Sequence, residues 1–170
     1  MTQRFRIILS VLIAVVVAVD QYTKYLVLSE PRFNAIPCLE RTGPCGHIEL
    51  SSVFDLSMVW NRGVSYGAFQ SEGIMRWLLV ILTMAIAAGF SVWLWRAARR
   101  WTAIALAMVV AGAVGNVIDR IRFGAVVDFL NFSDIYFIWV FNIADAAITV
   151  GAILLFVDQF LMSKQEKAAK

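Results

Sequence analysis

Several aspartates lie inside or next to apolar stretches of this 170-residue chain, where a charge is costly and is usually functional. Asp20 and Lys24 are four residues apart, so they can pair on one helix face, which is also the arrangement of a purely architectural ion pair. Asp128 and Asp145 have no basic residue at helical spacing. These two unpaired carboxylates are therefore the candidates for chemistry.

Two carboxylates in one partly apolar site predict an aspartyl dyad. Like charges at close range cannot both ionise easily, so the pair shares a proton. The ionised member can activate a water molecule against an amide carbonyl, while the protonated member polarises that carbonyl and protonates the leaving nitrogen. Such a site needs no metal or cofactor and none is expected, since a single histidine, His47, and two cysteines are too few for a zinc or haem site.

The composition indicates where this chemistry takes place. Hydrophobic residues make up 61% of the chain and charged residues 16%, whereas soluble domains average about 45–50% and about 25%. An ordinary soluble domain and a disordered chain are both excluded. The net charge of +3 does not indicate nucleic-acid binding, because the basic residues form short clusters between apolar runs rather than a stripe. The chain is predicted to be a membrane protein.

Four segments are long and apolar enough for transmembrane helices, each of which needs roughly 20 residues. We predict an all-α polytopic protein, a single membrane domain over residues 1–170, with regions 29–73 and 119–137 facing outward. Partial alternation from His47 to Trp60 predicts a small sheet at the membrane surface. The four predicted spans are about 7–28, 74–95, 102–118 and 138–162.

Clusters of basic residues predict the orientation, because positive loops stay in the cytoplasm. With four spans, the basic clusters before the first, between the second and third, and after the fourth share one side, so both termini are predicted to be cytoplasmic. Asp20 then lies about 20 Å along an outward-running helix, Asp119 at the outer end of the third, and Asp145 in the first turns of the fourth. Together with Asp128, these carboxylates are expected to meet near the outer interface.

Asparagines and glycines surround these aspartates at helical spacing. Asn116, Asp119 and Arg120 lie on nearly one face of the third span, and Asn142 lies three residues before Asp145. Gly112 and Gly115 are expected to let a neighbouring helix approach closely.

Five segments in this order resemble those of the lipoprotein signal peptidases, also called signal peptidase II. They are the Asp-Gln-Tyr-Thr-Lys segment at 20–24, the Asn-x-Gly-x-x-x-Gly stretch within 61–69, the Gly-x-x-Gly-Asn-x-Ile-Asp-Arg block at 112–120, Val-Val-Asp-Phe at 126–129 and Phe-Asn-Ile-Ala-Asp at 141–145. The resemblance covers most of the chain, from the first span to the fourth.

The resemblance implies an aspartyl endopeptidase of the bacterial cytoplasmic membrane that removes the signal peptide from diacylglyceryl-modified prolipoproteins. Cleavage would fall before the lipidated cysteine, on the periplasmic side, and globomycin-type peptides would inhibit it. Membrane lipids are the other expected partners, nucleic acid is not one, and a monomer is expected. By motif, Asp128 and Asp145 would be catalytic, and the substrate-binding or supporting residues would be Asn61, Gly63, Asn116, Asp119, Arg120, Asn142, Asp20 and Lys24.

Two other classes of protein also place acids in membranes. A small proton- or cation-coupled transporter would distribute polar residues across the membrane depth, but here the inward halves of the second and third spans are apolar. A scaffold held by helix packing would not need unpaired carboxylates. Cys38 and Cys45 match no family motif; they would face an oxidising compartment, so a disulfide between them is a hypothesis.

Overall fold

Four long helices and one small sheet make up the protein, a computed structural model that describes residues 1–34, 46–63 and 74–168. Each long helix contains a segment with the length and composition to cross a membrane. The helices are α1 (Gln3–Ser29), the short α2 (Pro31–Asn34), α3 (Ile74–Arg96), α4 (Arg100–Phe123) and α5 (Ile143–Ala168). The strands are β1 (Gly46–Glu49), β2 (Asp55–Asn61), β3 (Val126–Phe132) and β4 (Phe137–Phe141). The predicted fold class is confirmed.

Two predicted boundaries differ from the structure. The third span does not end at 118, because Asp119 lies in the protein interior and the helix continues to Phe123. It ends at Gly124, whose N–H still donates to the carbonyl of Arg120 and whose left-handed φ of 79° turns the chain out of the helix. The prediction that the fourth span begins at 138 is wrong, because Phe137–Phe141 pairs with β3 as a strand and the helix starts at Ile143.

The central helix of the bundle is α4. In its most apolar segment 72% of the residues are buried, against 11–22% in the other three spans, so those helices pack around it. Small residues make this packing close: a Cβ on Gly112 would collide with the carbonyl oxygen of Ala144, and a Cβ on Gly151 would lie 2.7 Å from that of Ala105. The close approach predicted from the α4 glycines is therefore present, and it brings the start of α5 against α4.

The antiparallel sheet has the order β1-β2-β3-β4 and covers one end of the bundle. β2 and β3 are hydrogen-bonded neighbours, although α3 and α4 separate them along the chain, and Val59 lies opposite Asp128. Met58, Trp60 and Phe129 join the apolar cluster that also holds Val27 at the end of α1, so the sheet is fixed to the bundle by burial of apolar area. The strands predicted within residues 47–60 are confirmed as β1 and β2.

Candidate active site

Asn142 joins the two unpaired carboxylates. Its side-chain nitrogen donates to Asp128 Oδ1 at 2.7 Å, and its backbone N–H donates to Asp145 Oδ2 at 3.4 Å. Its side-chain oxygen accepts from the backbone N–H of Asp145 at 2.9 Å, so it also caps the N-terminus of α5. The capping asparagine thus fixes the start of β3 and the start of α5 relative to each other, with one carboxylate on each.

Each carboxylate also accepts from one further neutral amide. Asn61 Nδ2 donates to Asp128 Oδ2 at 3.0 Å, and Asn116 Nδ2 donates to Asp145 Oδ1 at 2.7 Å. Lys24, which donates to Asn116 beside this pair, forms its ion pairs with Asp20 and Asp119 instead. Neutral donors orient the two groups without neutralising them, so their mutual repulsion is retained.

Burial of Asp128 has a direct consequence for its proton. Removal from water and, next, the nearby charge of Asp145 raise the pKa of Asp128 to about 7, against the lowering effect of the Asn61 and Asn142 amides. The side chain is 3% exposed. A carboxyl group with this pKa is protonated in a large share of molecules near neutral pH, so the pair can both hold and accept a proton.

A second, fully buried cluster of charges supports this pair. Lys24 Nζ lies 2.9 Å from Asp20 Oδ2 and 2.8 Å from Asp119 Oδ2. Asp20 also accepts from the backbone N–H of Ala144 at 2.9 Å, and Asp119 from that of Val127 at 3.1 Å. Ala144 and Val127 immediately precede the two unpaired aspartates, so the buried lysine cluster anchors the backbone beside both of them.

The same lysine also connects to the amides. Lys24 Nζ donates to Asn116 Oδ1 at 3.3 Å, which leaves the side-chain nitrogen of Asn116 facing Asp145. Because the amide can present its nitrogen to only one side, the lysine determines which end of Asn116 meets the carboxylate. The predicted Asp20–Lys24 pair is therefore both an ion pair and part of the site's support.

Arg120 and Gly63 complete the set of predicted site residues. The charge of Arg120 acts on Asp119, Asp128 and Asp145, and its Nε is a buried donor without a hydrogen-bond partner in the described part of the chain. The backbone N–H of Gly63 donates to Asn61 Oδ1 at 3.2 Å and holds that amide in place. All ten predicted residues therefore belong to one connected region.

Two residues that the site prediction omitted also contribute. Gln21 Nε2 donates to Asp119 Oδ1 at 2.9 Å; its position beside Asp20 and three residues before Lys24 was an available signal. Arg76 donates from Nε to the carbonyl of Arg120 at 2.8 Å and so stabilises the end of α4. Nothing in the local sequence of Arg76 indicates that contact, because it spans 44 residues.

Some predictions lie outside the described residues. Residues 64–69 of the Asn-x-Gly stretch are among them, as are Cys38 and Cys45, so the proposed disulfide stays a prediction. His47 lies on β1, where its ring contacts Ser57 and Asp55 rather than the carboxylate pair.

The fold is that of a polytopic membrane protein that holds two carboxylates together at one end of its helix bundle, Asp128 buried and Asp145 partly buried. The family model described as signal peptidase (SPase) II matches residues 12–161. The chain belongs to the signal peptidase II family.

Relatives and solved structures agree with this assignment. Proteins named lipoprotein signal peptidase are 37% identical in Caulobacter vibrioides, over 90% of this chain and 86% of the relative, and 40% identical in Sphingopyxis alaskensis, over 89% and 84%. One in Methylorubrum extorquens is 50% identical over 64% of this chain and 65% of its own length, so the chain spans just under two thirds of that relative. Two solved structures, both described as a bacterial membrane enzyme, have similar folds. One matches with a TM-score of 0.74 at 28% identity, covering 92% of this chain and 90% of its own. The other matches with a TM-score of 0.70 at 29% identity, covering 88% of this chain and 91% of its own.

These findings confirm the predicted family, signal peptidase II. They give no support to the transporter alternative.

The raised pKa of Asp128 predicts the alkaline limb of the pH–rate profile. The predicted aspartyl dyad requires one protonated carboxyl, so kcat/KM is expected to fall above a pH of about 7, about tenfold per pH unit. Asn61 stabilises the ionised form, so Asn61→Ala is expected to raise the pKa of Asp128 and move this limb to higher pH. The measurement is kcat/KM against pH for cleavage of a quenched lipopeptide.

A buried asparagine on β3, the strand that carries Asp128, gives the control. Asn131 donates to Ser57 Oγ at 2.9 Å, away from the carboxylates, so Asn131→Ala should leave the alkaline limb in place. An Asn61→Ala limb at the parental pH, or one moved to lower pH, would contradict the assignment of that limb to Asp128.

Proposed function

We propose that this chain is the aspartyl endopeptidase that cleaves diacylglyceryl-modified prolipoproteins immediately before the lipidated cysteine, with Asp128 and Asp145 as its catalytic pair. The observation that carries the proposal is the arrangement around Asn142, which donates to both carboxylates and holds them together at one end of a membrane bundle. Family membership supplies the reaction, and the geometry supports the choice of residues.

The surroundings of the two carboxylates differ, and this difference assigns their roles. Asp145 lies in the first turn of α5, where the helix dipole and the backbone N–H of Asn142 favour the ionised form. Asp128, with its raised pKa, is the protonated member. Asp145 takes a proton from water as the oxygen attacks the scissile carbonyl, while Asp128 donates a hydrogen bond to the carbonyl oxygen. Asp128 then gives its proton to the leaving amide nitrogen as the C–N bond breaks, and the proton taken from water stays on Asp145.

Arg120 is proposed to bind the substrate backbone. Its buried Nε has no partner over the described residues, and its charge acts on both members of the pair. A peptide carbonyl beside the scissile bond would satisfy that donor, which otherwise carries the cost of an unmade hydrogen bond. We propose that the remaining predicted residues position the two carboxylates, either by donating to them or by holding the amides and backbone beside them.

The proposed orientation places the carboxylate pair at the periplasmic interface and both termini in the cytoplasm. The basic residues at the opposite end of the bundle support it. The turn between β3 and β4 also supports it, because Tyr136 is 95% exposed and Ile138 and Trp139 are exposed beside it, as side chains at a membrane interface are. A substrate whose acyl chains stay in the bilayer would present its scissile bond at this depth.

Two further expectations concern partners. Globomycin-type peptides are expected to inhibit by occupying the carboxylate pair. The monomer is expected to be the active unit, because one chain supplies the whole series of hydrogen bonds that runs from Asn61 through Asp128 and Asn142 to Asp145.

The test is cleavage of two matched prolipopeptides in proteoliposomes, identical except for the diacylglyceryl group on cysteine. The lipidated peptide should yield a product that begins at the modified cysteine, as read by mass spectrometry. The unmodified peptide should be cleaved at least about 100-fold more slowly, because binding energy from the acyl chains is used at the reacting bond. Equal turnover of both peptides, or cleavage at another bond, would overturn the proposed substrate class.

A further inference from the structure

A groove of about 660 Å³ lies at the other end of the bundle, where α1 begins and α3 ends. One face of α1 lines it, at positions 3, 6, 7, 10, 11 and 14, and Trp95 of α3 forms its other wall. From Arg6 to Asp20 the helix rises about 21 Å. The groove is therefore remote from the carboxylate pair and has no part in the reaction described above.

Polar and apolar groups are separated along this groove. Gln3, Arg6 and Ser10 supply hydrogen-bonding groups in the first turns of α1. Val11 and Ala14 continue the groove wall towards the middle of the membrane. The whole face from position 3 to position 14 is about 17 Å long. A phospholipid has this polarity, with a charged phosphate above a glycerol and the upper part of an acyl chain.

Arg6 is oriented and incompletely satisfied. Its guanidinium carbon lies 4.8 Å from the centre of the Trp95 ring, a cation–π contact that fixes the side chain against the groove wall. Its Nε is buried and has no hydrogen-bond partner over residues 1–34, 46–63 and 74–168, and no carboxylate in those ranges pairs with it. Planar arginine is well suited to a phosphate that fills such a gap.

The charge around the groove favours an anionic ligand. Arg100 lies over the ring of Phe5, one residue before Arg6, and so adds a second cation at this end of α1. The nearby buried acid, Asp158, is occupied by Arg99 at 2.9 Å and by the hydroxyl of Thr102. Excess positive charge therefore remains near Arg6.

From these observations we propose that the groove between α1 and Trp95 binds an anionic phospholipid of the leaflet around the N-terminal end of α1. Arg6 binds the phosphate, with Gln3 and Ser10 beside it. Ile7, Val11 and Ala14 contact the glycerol and acyl chain.

Native mass spectrometry of the purified chain, with phosphatidylglycerol titrated against phosphatidylcholine of the same acyl chains, tests this site. Phosphatidylglycerol should bind more tightly, and Arg6→Gln should weaken its binding at least about tenfold, as loss of a hydrogen bond to a charged group does. Arg4→Gln is the matched control, because Arg4 is exposed and does not line the groove. That change should cost no more than the about fivefold expected of one basic residue near an anionic surface.

A third variant and a free anion complete the test. Ala14→Phe keeps every charge but fills the apolar part of the groove, so it should also weaken phosphatidylglycerol binding. Inorganic phosphate should not compete at concentrations matched to the lipid. Equal effects of Arg6→Gln and Arg4→Gln, equal binding of the two lipids, or full competition by inorganic phosphate would each overturn the proposal.

Discussion

Asp128→Asn and Asp145→Asn are each expected to lower cleavage of a lipidated pro-form by at least about 10³-fold, within the range that a positioned acid or base contributes. Asparagine keeps the size of the side chain but can neither take a proton from water nor return one to the leaving nitrogen. Initial rates in proteoliposomes, with product identified by mass, measure the effect. Thermal unfolding in detergent should show both variants folded.

An exposed aspartate on the same side of the bundle provides the matched control. Asp134 lies in the turn after β3, beside Asp55 rather than the carboxylate pair. Asp134→Asn should keep cleavage within about twofold of the parent, since surface changes have small effects. If either dyad variant retained parental turnover, the catalytic assignment would be wrong.

Lys24→Met is expected to destabilise the protein by about 3–5 kcal/mol, the cost of leaving buried charges without their partner. Lys24 is 2% exposed and contacts Asp20 and Asp119, both 0% exposed. Without the lysine, two carboxylates that hold the backbone at Ala144 and Val127 repel each other. Equilibrium unfolding in detergent micelles measures the loss, and activity should fall with it.

Adding Asp20→Asn to Lys24→Met should restore part of the stability, because one buried charge is removed while the acceptor for the Ala144 N–H remains. Arg32→Met gives the comparison with a surface ion pair. Arg32 lies 2.7 Å from Glu30 but its side chain is 65% exposed, so no measurable loss is expected. A Lys24→Met protein as stable as the parent would refute the supporting role of the buried lysine.

Residue types and spacing were sufficient to predict the four long helices, the strands within residues 47–60 and the convergence of the aspartates. Amphipathic and apolar runs give the spans, since about 20 residues cross a bilayer. The rise of a helix gave the depth of Asp20, Asp119 and Asp145 in the membrane. Asp20 accepts from the backbone N–H beside Asp145, and Asp119 accepts from the backbone N–H beside Asp128, so the four residues lie together as predicted. The motif resemblance then joined Asn61 to the same group, where it is found 3.0 Å from Asp128.

Local pattern failed where a tertiary contact decides the outcome. Residues 138–141 are apolar and read as a continuation of the fourth span, but pairing with β3 makes them a strand. The extension of α4 past Asp119 depends on the buried partners Lys24 and Val127, which are remote in sequence. Arg76 was missed for the same reason, because its acceptors are backbone carbonyls 44 and 45 residues away, which no side-chain pattern reveals.

The distribution of the site along the chain also constrains biogenesis. Asp20 comes from the first span, Asn61 from the second strand and Asp145 from the last span, and each is linked to the others only through the folded bundle. A nascent chain that has inserted α1, α3 and α4 still has neither Asn142 nor Asp145. Under the proposed catalytic assignment, a chain can therefore cleave substrate only after its last described helix has been synthesised and inserted, so a chain still in synthesis does not cleave the proteins around it.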